Sequence, residues 1–318
     1  MQALTIGPSD WRKRIAGRRV VVSYSGGKDS AAVCGALRDA GIDFDAVYFD
    51  TGWESPTTYQ FLAEYGEQVV GKPLIRLAAD LPVPEGAEAE VAEIEGMLGH
   101  RSDMVRRCFK YMTPPSRMTR WCTGDLKLKP FERWAKEQAP FVNAIGVRAQ
   151  ESAARSRQAE WEAHPTLPGV DVWRPVFHWT EEDVIAAHHR FGLPVNELYL
   201  RGSRRVGCWP CIMASKNEIR TIASDDPARI AVIRRMEQLI EAGQERKGKR
   251  KFPVGWFMNP RPKRCPKTRK YLEKDKGLYL PIDLIVQWSG THEKSLLDEM
   301  YGDERGCMRW GMCSRPPE

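Results

Sequence analysis

Residues 20–30 read Val-Val-Val-Ser-Tyr-Ser-Gly-Gly-Lys-Asp-Ser, a β-branched run that breaks into glycine and charge. The run predicts a strand over Arg19–Tyr24, a tight turn, and then a helix that extends to Ala40 and stops at Gly41. Gly26 and Gly27 let the backbone approach an anion with no Cβ in the way. The first amides of the helix lack intrahelical partners and present the positive end of the helix dipole. Lys28 adds a mobile positive charge, Ser25 and Ser30 add hydroxyls, and Asp29 or Ser30 is placed to cap the helix. Such a chain is committed early to a strand–turn–helix unit that cradles phosphate.

The turn is not a Walker A loop, which has four residues between its first Gly and its Gly-Lys-Ser/Thr. Ser-Gly-Gly-x-Asp-Ser instead resembles the phosphate loop of the PP-loop ATP pyrophosphatase superfamily. Members bind ATP and cleave between its α and β phosphates. The resemblance implies ATP with magnesium, bound by Ser25, Gly26, Gly27, Lys28, Asp29 and Ser30, with Lys28 and Asp29 in catalysis.

Three more apolar segments, Asp45–Phe49, Pro73–Leu77 and Phe141–Val147, read as strands separated by helical stretches. That alternation predicts an α/β fold with a doubly wound parallel sheet and ligands at the carboxyl ends of its strands. The resemblance names it adenine nucleotide alpha hydrolase-like. The acidic stretch Glu88–Glu95 reads as an exposed helix, and Trp179–Phe191 as another, capped by Thr180. After about residue 200 the composition turns to cysteine, proline and basic charge. We therefore expect a nucleotide-binding domain over 1–200 and a Cys-containing, basic C-terminal region over 201–318. The chain's 318 residues suffice for a real core. No stretch reads as a membrane span, and residues 1–17 are polar, with no apolar leader core. A cytoplasmic protein is expected.

Three further motifs follow. Val47–Glu54 ends a strand in Asp50-Thr51-Gly52, a turn suited to hold an adenine or ribose edge by backbone contacts. Arg120–Pro130 contains Cys122 and Lys127 in a Cys-x-x-x-x-Lys-x-x-Pro arrangement. Gly146–Arg155 reads Gly-Val-Arg-Ala-Gln-Glu-Ser-Ala-Ala-Arg. Together they resemble the phosphoadenosine phosphosulfate (PAPS) reductase-like branch of the superfamily. The resemblance covers roughly Arg19–Arg220. It implies that Asp50, Thr51 and Gly52 meet the nucleotide and that Arg148 and Arg155 grip pyrophosphate or sulfate as bidentate donors. It adds Glu151, holding an arginine or magnesium, and Ser152 to the nucleotide site. Cys122 meets substrate or sulfur, Lys127 holds a phosphate, and Arg148 joins the catalytic set. Iron–sulfur reductases of the branch carry two adjacent cysteines where this chain has Trp121-Cys122. His178, His188 and His189 read as surface or packed histidines with no catalytic role.

Eight unevenly spaced cysteines in a long charged chain argue against a disulfide scaffold. Cys208 and Cys211 form a Cys-x-x-Cys that can chelate a metal or act as a redox pair. Cys307 and Cys313 can complete a four-thiolate set, with Cys122 and Cys265 as rivals; Cys34 and Cys108 look structural. An iron–sulfur cluster is expected, with zinc as the alternative. The net charge of +7 asks for an anionic partner. Residues 246–270 hold eleven Lys or Arg, no acid, and Phe252, Trp256 and Phe257, a pattern suited to DNA or RNA backbone and stacked bases. The expected function is an ATP pyrophosphatase that adenylates an acceptor, nucleic acid, for sulfur insertion, with a sulfur donor protein as a further partner. The alternatives are a sulfonucleotide reductase and a nucleotide-switched nucleic-acid-binding component. The tail lacks the Glu-Cys-Gly-(Ile/Leu)-His nucleophile motif of the reductases.

Overall fold

The computed structural model describes residues 4–248, 254–258, 279–291 and 310. Six strands form its main sheet: β1 Arg19–Ser23, β2 Asp45–Asp50, β3 Ile75–Ala78, β4 Phe141–Ile145, β5 Trp161–Ala163 and β6 Val170–Trp173. Their order is β3-β2-β1-β4-β6-β5, with every neighbouring pair parallel except β5–β6. The chain runs from β1 outward to β3, then crosses back to lay β4 on the other side of β1. Strand order reverses at β1/β4, and the loops leaving both strands open into one crevice. The fold is the expected α/β doubly wound sheet, ended by an antiparallel edge strand.

Helices connect the strands. They are α1 Trp11–Ile15, α2 Lys28–Asp39, α3 Pro56–Val70, α4 Glu88–Leu98, α5 Asp103–Tyr111, α6 Trp121–Thr123 and α7 Lys129–Gln138. Then come α8 Glu181–Phe191, α9 Glu197–Leu200, α10 Lys216–Asp225, α11 Pro227–Arg246 and α12 Ile282–Ser289. A π-helical turn, Gly124–Leu128, joins α6 to α7. Thr180 caps α8 as expected, its hydroxyl accepting from the Asp183 amide. The Glu88–Glu95 stretch is a correction: α4 is one-sided rather than exposed, because Val91 and Ile94 turn into the core.

Strand periodicity builds the layers. Val20 and Val22 of β1 point into one apolar cluster with α2 and α8, and Val21 points into the other with Phe131 and Phe141. Each fully buried Val contributes roughly 1.5–3 kcal/mol. Cys34 lies fully buried on α2 and Cys108 on α5, as their apolar surroundings require. The largest cluster joins Trp53, Met104 and Leu126 to Trp209, Ile219, Ile233 and Trp256. The segment beyond residue 200 therefore shares a core with the loop after β2 and the 121–128 segment.

Glu237 of α11 ties the later segments down. Its Oε1 accepts the Trp256 amide at 3.0 Å and its Oε2 the Ile282 amide at 2.9 Å. A short ribbon, β7 Phe257–Met258 against β8 Tyr279–Leu280, sits beside them. Burial pushes the Glu237 carboxyl up to about 7. A carboxyl raised on folding adds stability below its unfolded pKa and loses it as pH rises through the folded value. The stability of the wild type minus that of Glu237→Gln should therefore fall by about 3 kcal/mol between pH 4.5 and 8. Urea unfolding across that range checks it, and a pH-independent difference would refute it.

Candidate functional site

Every part of the phosphate loop is in place, with its polar groups already engaged. Gly26 sits at φ +72°, a left-handed conformation that glycine adopts without strain. Ser25 Oγ and Ser30 Oγ lie 3.1 Å apart, the Ser25 amide donates to Ser30 Oγ, and Ser30 Oγ donates to the Gly27 carbonyl at 3.0 Å. Gly27 occupies the N-cap position of α2 with no side-chain cap, so neither Asp29 nor Ser30 caps the helix as expected. Asp29 is drawn elsewhere, to Arg148. Lys28 is likewise no mobile charge. It is buried, its Nζ donates to the Arg204 carbonyl at 2.9 Å, and it lies 3.4 Å from Glu181 and 3.7 Å from Asp29.

The β1/β4 switch point explains that attraction. Gly146 follows β4 directly, and a Cβ there would stand 2.7 Å from the Ser30 amide nitrogen. Only glycine lets the β4 loop lie flat on the start of α2. Two residues on, Arg148 reaches Asp29 Oδ1 with its Nε at 2.6 Å and Gln150 Oε1 with its Nη1 at 2.9 Å. Glu151 accepts from the Arg148 amide at 3.0 Å and pairs with Arg155, so it serves the arginines. Ser152 Oγ accepts from the Arg155 amide. Lys28, Asp29, Arg148, Glu151 and Arg155 thus form one chain of alternating charge along the crevice.

The Asp50-Thr51-Gly52 turn is shaped by a residue that the sequence motif leaves without a role. Glu54 is almost fully buried. Its Oε1 accepts the Thr51 hydroxyl at 2.8 Å, and its Oε2 accepts the Thr51 and Trp53 amides and the Tyr59 hydroxyl. Asp50 takes the Gly52 amide, the Tyr59 hydroxyl and Arg76. The amides of the turn are therefore satisfied internally, and toward an adenine or ribose edge it can offer acceptors only. Glu54 also forms an antiparallel bridge with Cys208, and its carbonyl accepts from Arg229 of α11. The Arg229 guanidinium lies 4.6 Å over the Trp53 ring, with its Nη1 buried and without a hydrogen-bond partner.

Through Glu54 the nucleotide turn touches the Cys-x-x-Cys segment. Trp209 donates its amide to the Trp53 carbonyl at 2.8 Å, and the Trp53 indole donates to the Pro210 carbonyl. Cys122, Cys208 and Cys211 are all free thiols. Burial pushes Cys208 up to about 12 against the pull of the Lys127 ammonium. Burial also raises Cys122, helped by the charge of Cys211 and opposed by Lys127. Lys127, carried on the π-helical turn, thus stands among the three thiols and Glu54. A π-turn adds one residue per turn and re-aims its side chains. Among the described residues, no three His, Cys, Asp or Glu side chains are arranged to hold a metal ion. Cys265, Cys307 and Cys313 lie outside the described residues, as does most of 246–270.

Sequence reasoning missed the cover on the phosphate loop. Tyr199 Oη accepts the Lys28 amide at 3.1 Å and lies under the Lys28 ammonium, 4.8 Å from its ring centre. Burial holds this phenol well above its ordinary pKa, so it is neutral. His188 is packed rather than catalytic: its Nε2 faces the Lys28 carbonyl at 2.9 Å, which only an N–H can satisfy. Trp310 packs against both, 5.1 Å from His188 and 5.8 Å from Tyr199. Each contact joins positions more than a hundred residues apart, and no local pattern announces them.

Residues 19–214 match the model of the phosphoadenosine phosphosulfate reductase domain. An uncharacterized 37.8 kDa protein of Escherichia phage 186 is 32% identical over 268 residues, 73% of this chain and 78% of that one. Adenosine 5′-phosphosulfate reductase of Deinococcus radiodurans is 34% identical over 101 residues, 30% of this chain and 36% of the enzyme. The likeness to that enzyme is thus confined to about a third of its length. A phosphoadenylyl-sulfate reductase structure from Candida auris, in complex with phosphate, aligns with a TM-score of 0.44 at 19% identity, covering 63% of this chain and 86% of that one. No helix among the described residues is long and apolar enough to cross a membrane.

Gly146→Ala should cost about 1–3 kcal/mol by overpacking against Ser30, and should weaken ATP binding by pushing Arg148 off Asp29. Urea unfolding together with calorimetric ATP titration measures both. A variant with unchanged stability and affinity would show that the close approach is not required.

Proposed function

The chain belongs to the phosphoadenosine phosphosulfate reductase domain family, and on that premise we propose that it is an ATP pyrophosphatase that adenylates a nucleic-acid acceptor for sulfur insertion. One observation carries the reading: Glu54 holds the Asp50–Gly52 turn with its buried carboxylate and bridges to Cys208 with its backbone, so the proposed nucleotide crevice and the thiols meet at one residue. An enzyme that activates an oxygen with ATP and replaces it with sulfur needs both functions side by side.

In the proposed reaction, Lys28 and the phosphate loop hold the β and γ phosphates, and Arg148, aligned by Asp29, holds the α phosphate. The acceptor oxygen attacks the α phosphorus, the bond from that phosphorus to the bridging oxygen breaks, and pyrophosphate leaves. Positioning and charge neutralisation supply most of the acceleration. Magnesium brought in with ATP would neutralise the leaving pyrophosphate. Asp29 and Glu151 both pair with arginines, so their first task is to align those cations. A sulfur nucleophile supplied by a sulfur donor protein then adds at the activated carbon, and AMP departs with the acceptor oxygen. Cys122, coupled electrostatically to Cys211 and Lys127, is the thiol assigned to that step.

An iron–sulfur cluster, or zinc, would use Cys208 and Cys211 with Cys307 and Cys313. The Cys-x-x-Cys fits two thiolates of such a set. The described donors stop short of a complete one, so no step is routed through a metal. A second reading, reduction of a sulfonucleotide to sulfite, is favoured by relatives named adenosine 5′-phosphosulfate reductase. The Cys-bearing stretch Arg305-Gly306-Cys307-Met308-Arg309-Trp310-Gly311-Met312-Cys313 does not match the reductase nucleophile motif.

Lys28→Ala should lower kcat/KM for pyrophosphate release from ATP by roughly 100-fold or more, with an unchanged circular dichroism spectrum. Wild-type turnover would remove Lys28 from the mechanism. Sulfite formed from a sulfonucleotide, without pyrophosphate release from ATP, would install the reductase reading instead. Elemental analysis of anaerobically purified protein should find iron or zinc that is lost in Cys208→Ser; neither metal in the wild type would leave the thiols metal-free.

A further inference from the structure

We propose that the exposed face spanning Lys110 to Lys129 is a docking surface for a single-stranded nucleic acid, which it feeds toward Cys122. The proposal rests on the nucleic-acid acceptor reading above and names the surface that reading requires.

Charge is the first argument. Between residues 104 and 130 the chain has seven Lys or Arg and one acid, Asp125. Arg106 is spent on Glu95 at 2.8 Å and Arg107 on Asp125 at 3.1 Å. Lys110, Arg117, Arg120 and Lys129 remain on the surface. Lys129 shares the nearly buried Asp125 with Arg107, so one carboxylate serves two cations. A phosphate backbone is the natural complement to such a surplus.

Apolar exposure is the second. Within the same stretch of chain Met118 is 77% exposed, Leu128 50% and Tyr111 44%. Cations interleaved with exposed apolar and aromatic side chains suit unstacked bases lying beside their phosphates. A duplex hides its base faces and would leave these side chains in water.

Position is the third. Arg117 donates its Nε to the Ile212 carbonyl at 3.1 Å, so the tip of the 113–120 loop leans on the residue next to Cys211. Tyr111 packs edge-on to Trp121 at 5.5 Å, one residue before Cys122. The face therefore borders the thiols directly. At its other end a groove of about 260 Å³ between Lys110 and Arg246 is also lined by Glu85 and Glu90, and Glu90 pairs with Arg246 at 2.6 Å, so the basic face ends at Lys110. Half-buried thiols can reach a base only once it has left the stack, which again selects a single strand.

The experiment is fluorescence anisotropy with a labelled 20-nucleotide oligothymidine, an oligouridine of the same length and a blunt DNA duplex, over a series of salt concentrations. The variant Arg117→Gln/Arg120→Gln/Lys129→Gln should flatten the slope of log affinity against log salt by about 2 units. Met118→Ser should weaken strand binding roughly five-fold at constant slope. Both should keep the wild-type ATP affinity and a folded circular dichroism spectrum. Either single strand bound more tightly than the duplex supports the proposal. Unchanged binding in the triple variant, or equal binding of duplex and strands, overturns it. A wild type that releases pyrophosphate but binds no strand overturns this surface and leaves the nucleotide chemistry standing. Strand binding without pyrophosphate release keeps the surface and removes the adenylation.

Discussion

Because β1 pairs in parallel with β2 on one side and β4 on the other, the loops leaving all three strands emerge at one edge of the sheet. That register brings together Ser25–Ser30, Asp50–Gly52 and Gly146–Arg155, segments spread over 130 residues of chain. It also makes the Asp29–Arg148 pair possible. Arg148 is 5% exposed, and a buried guanidinium without a partner is strongly destabilising. Asp29 meets that need, which is why it is unavailable as a helix cap. The Gly146 contact with Ser30 follows from the same register, since the β4 loop must cross the start of α2 at close range.

Glu54 does for the second half of the site what Asp29 does for the first. Four donors converge on its carboxylate, so a buried charge is stabilised by hydrogen bonds that also fix the nucleotide turn. Its backbone meets Cys208 and Arg229, drawing in segments from beyond residue 200. Trp53 stacks on Trp256 at 4.9 Å, and Glu237 secures Trp256 from behind. The loop after β2, the thiols and the helices α10–α12 are consequently one packed body around the largest apolar cluster. A disturbance of the turn at Asp50 has a short covalent and hydrogen-bonded path to Cys208.

Much of the frame was legible in the chain. Short apolar runs located β1, β2, β3 and β4 to within a few residues, since parallel strands covered on both faces write themselves into sequence as continuous apolar stretches. Thr180 with Asp183 marked the start of α8, because a capping box is a local structure. The short pair β5–β6 went unread, because three or four residues carry too little periodicity. The helix over 88–98 was seen, but its buried stripe was hidden by the glutamates around it.

What the sequence determined alone was a set of local units: a glycine-bearing turn between strand and helix, an Asp-Thr-Gly strand end, an arginine-bearing loop after a fourth strand, and a Cys-x-x-Cys. Those are short-range facts, fixed by glycine at left-handed positions, by caps and by strand period. Tertiary structure decided which groups those units spend on each other. It gave Asp29 to Arg148 across 119 residues, laid Tyr199 over the Lys28 amide across 171, and set Cys122 and Lys127 beside Cys208 and Cys211. Such pairings are chosen by burial, because a charge or hydroxyl removed from water takes whichever partner the packed sheet brings within about 3 Å. No spacing along the chain encodes that choice.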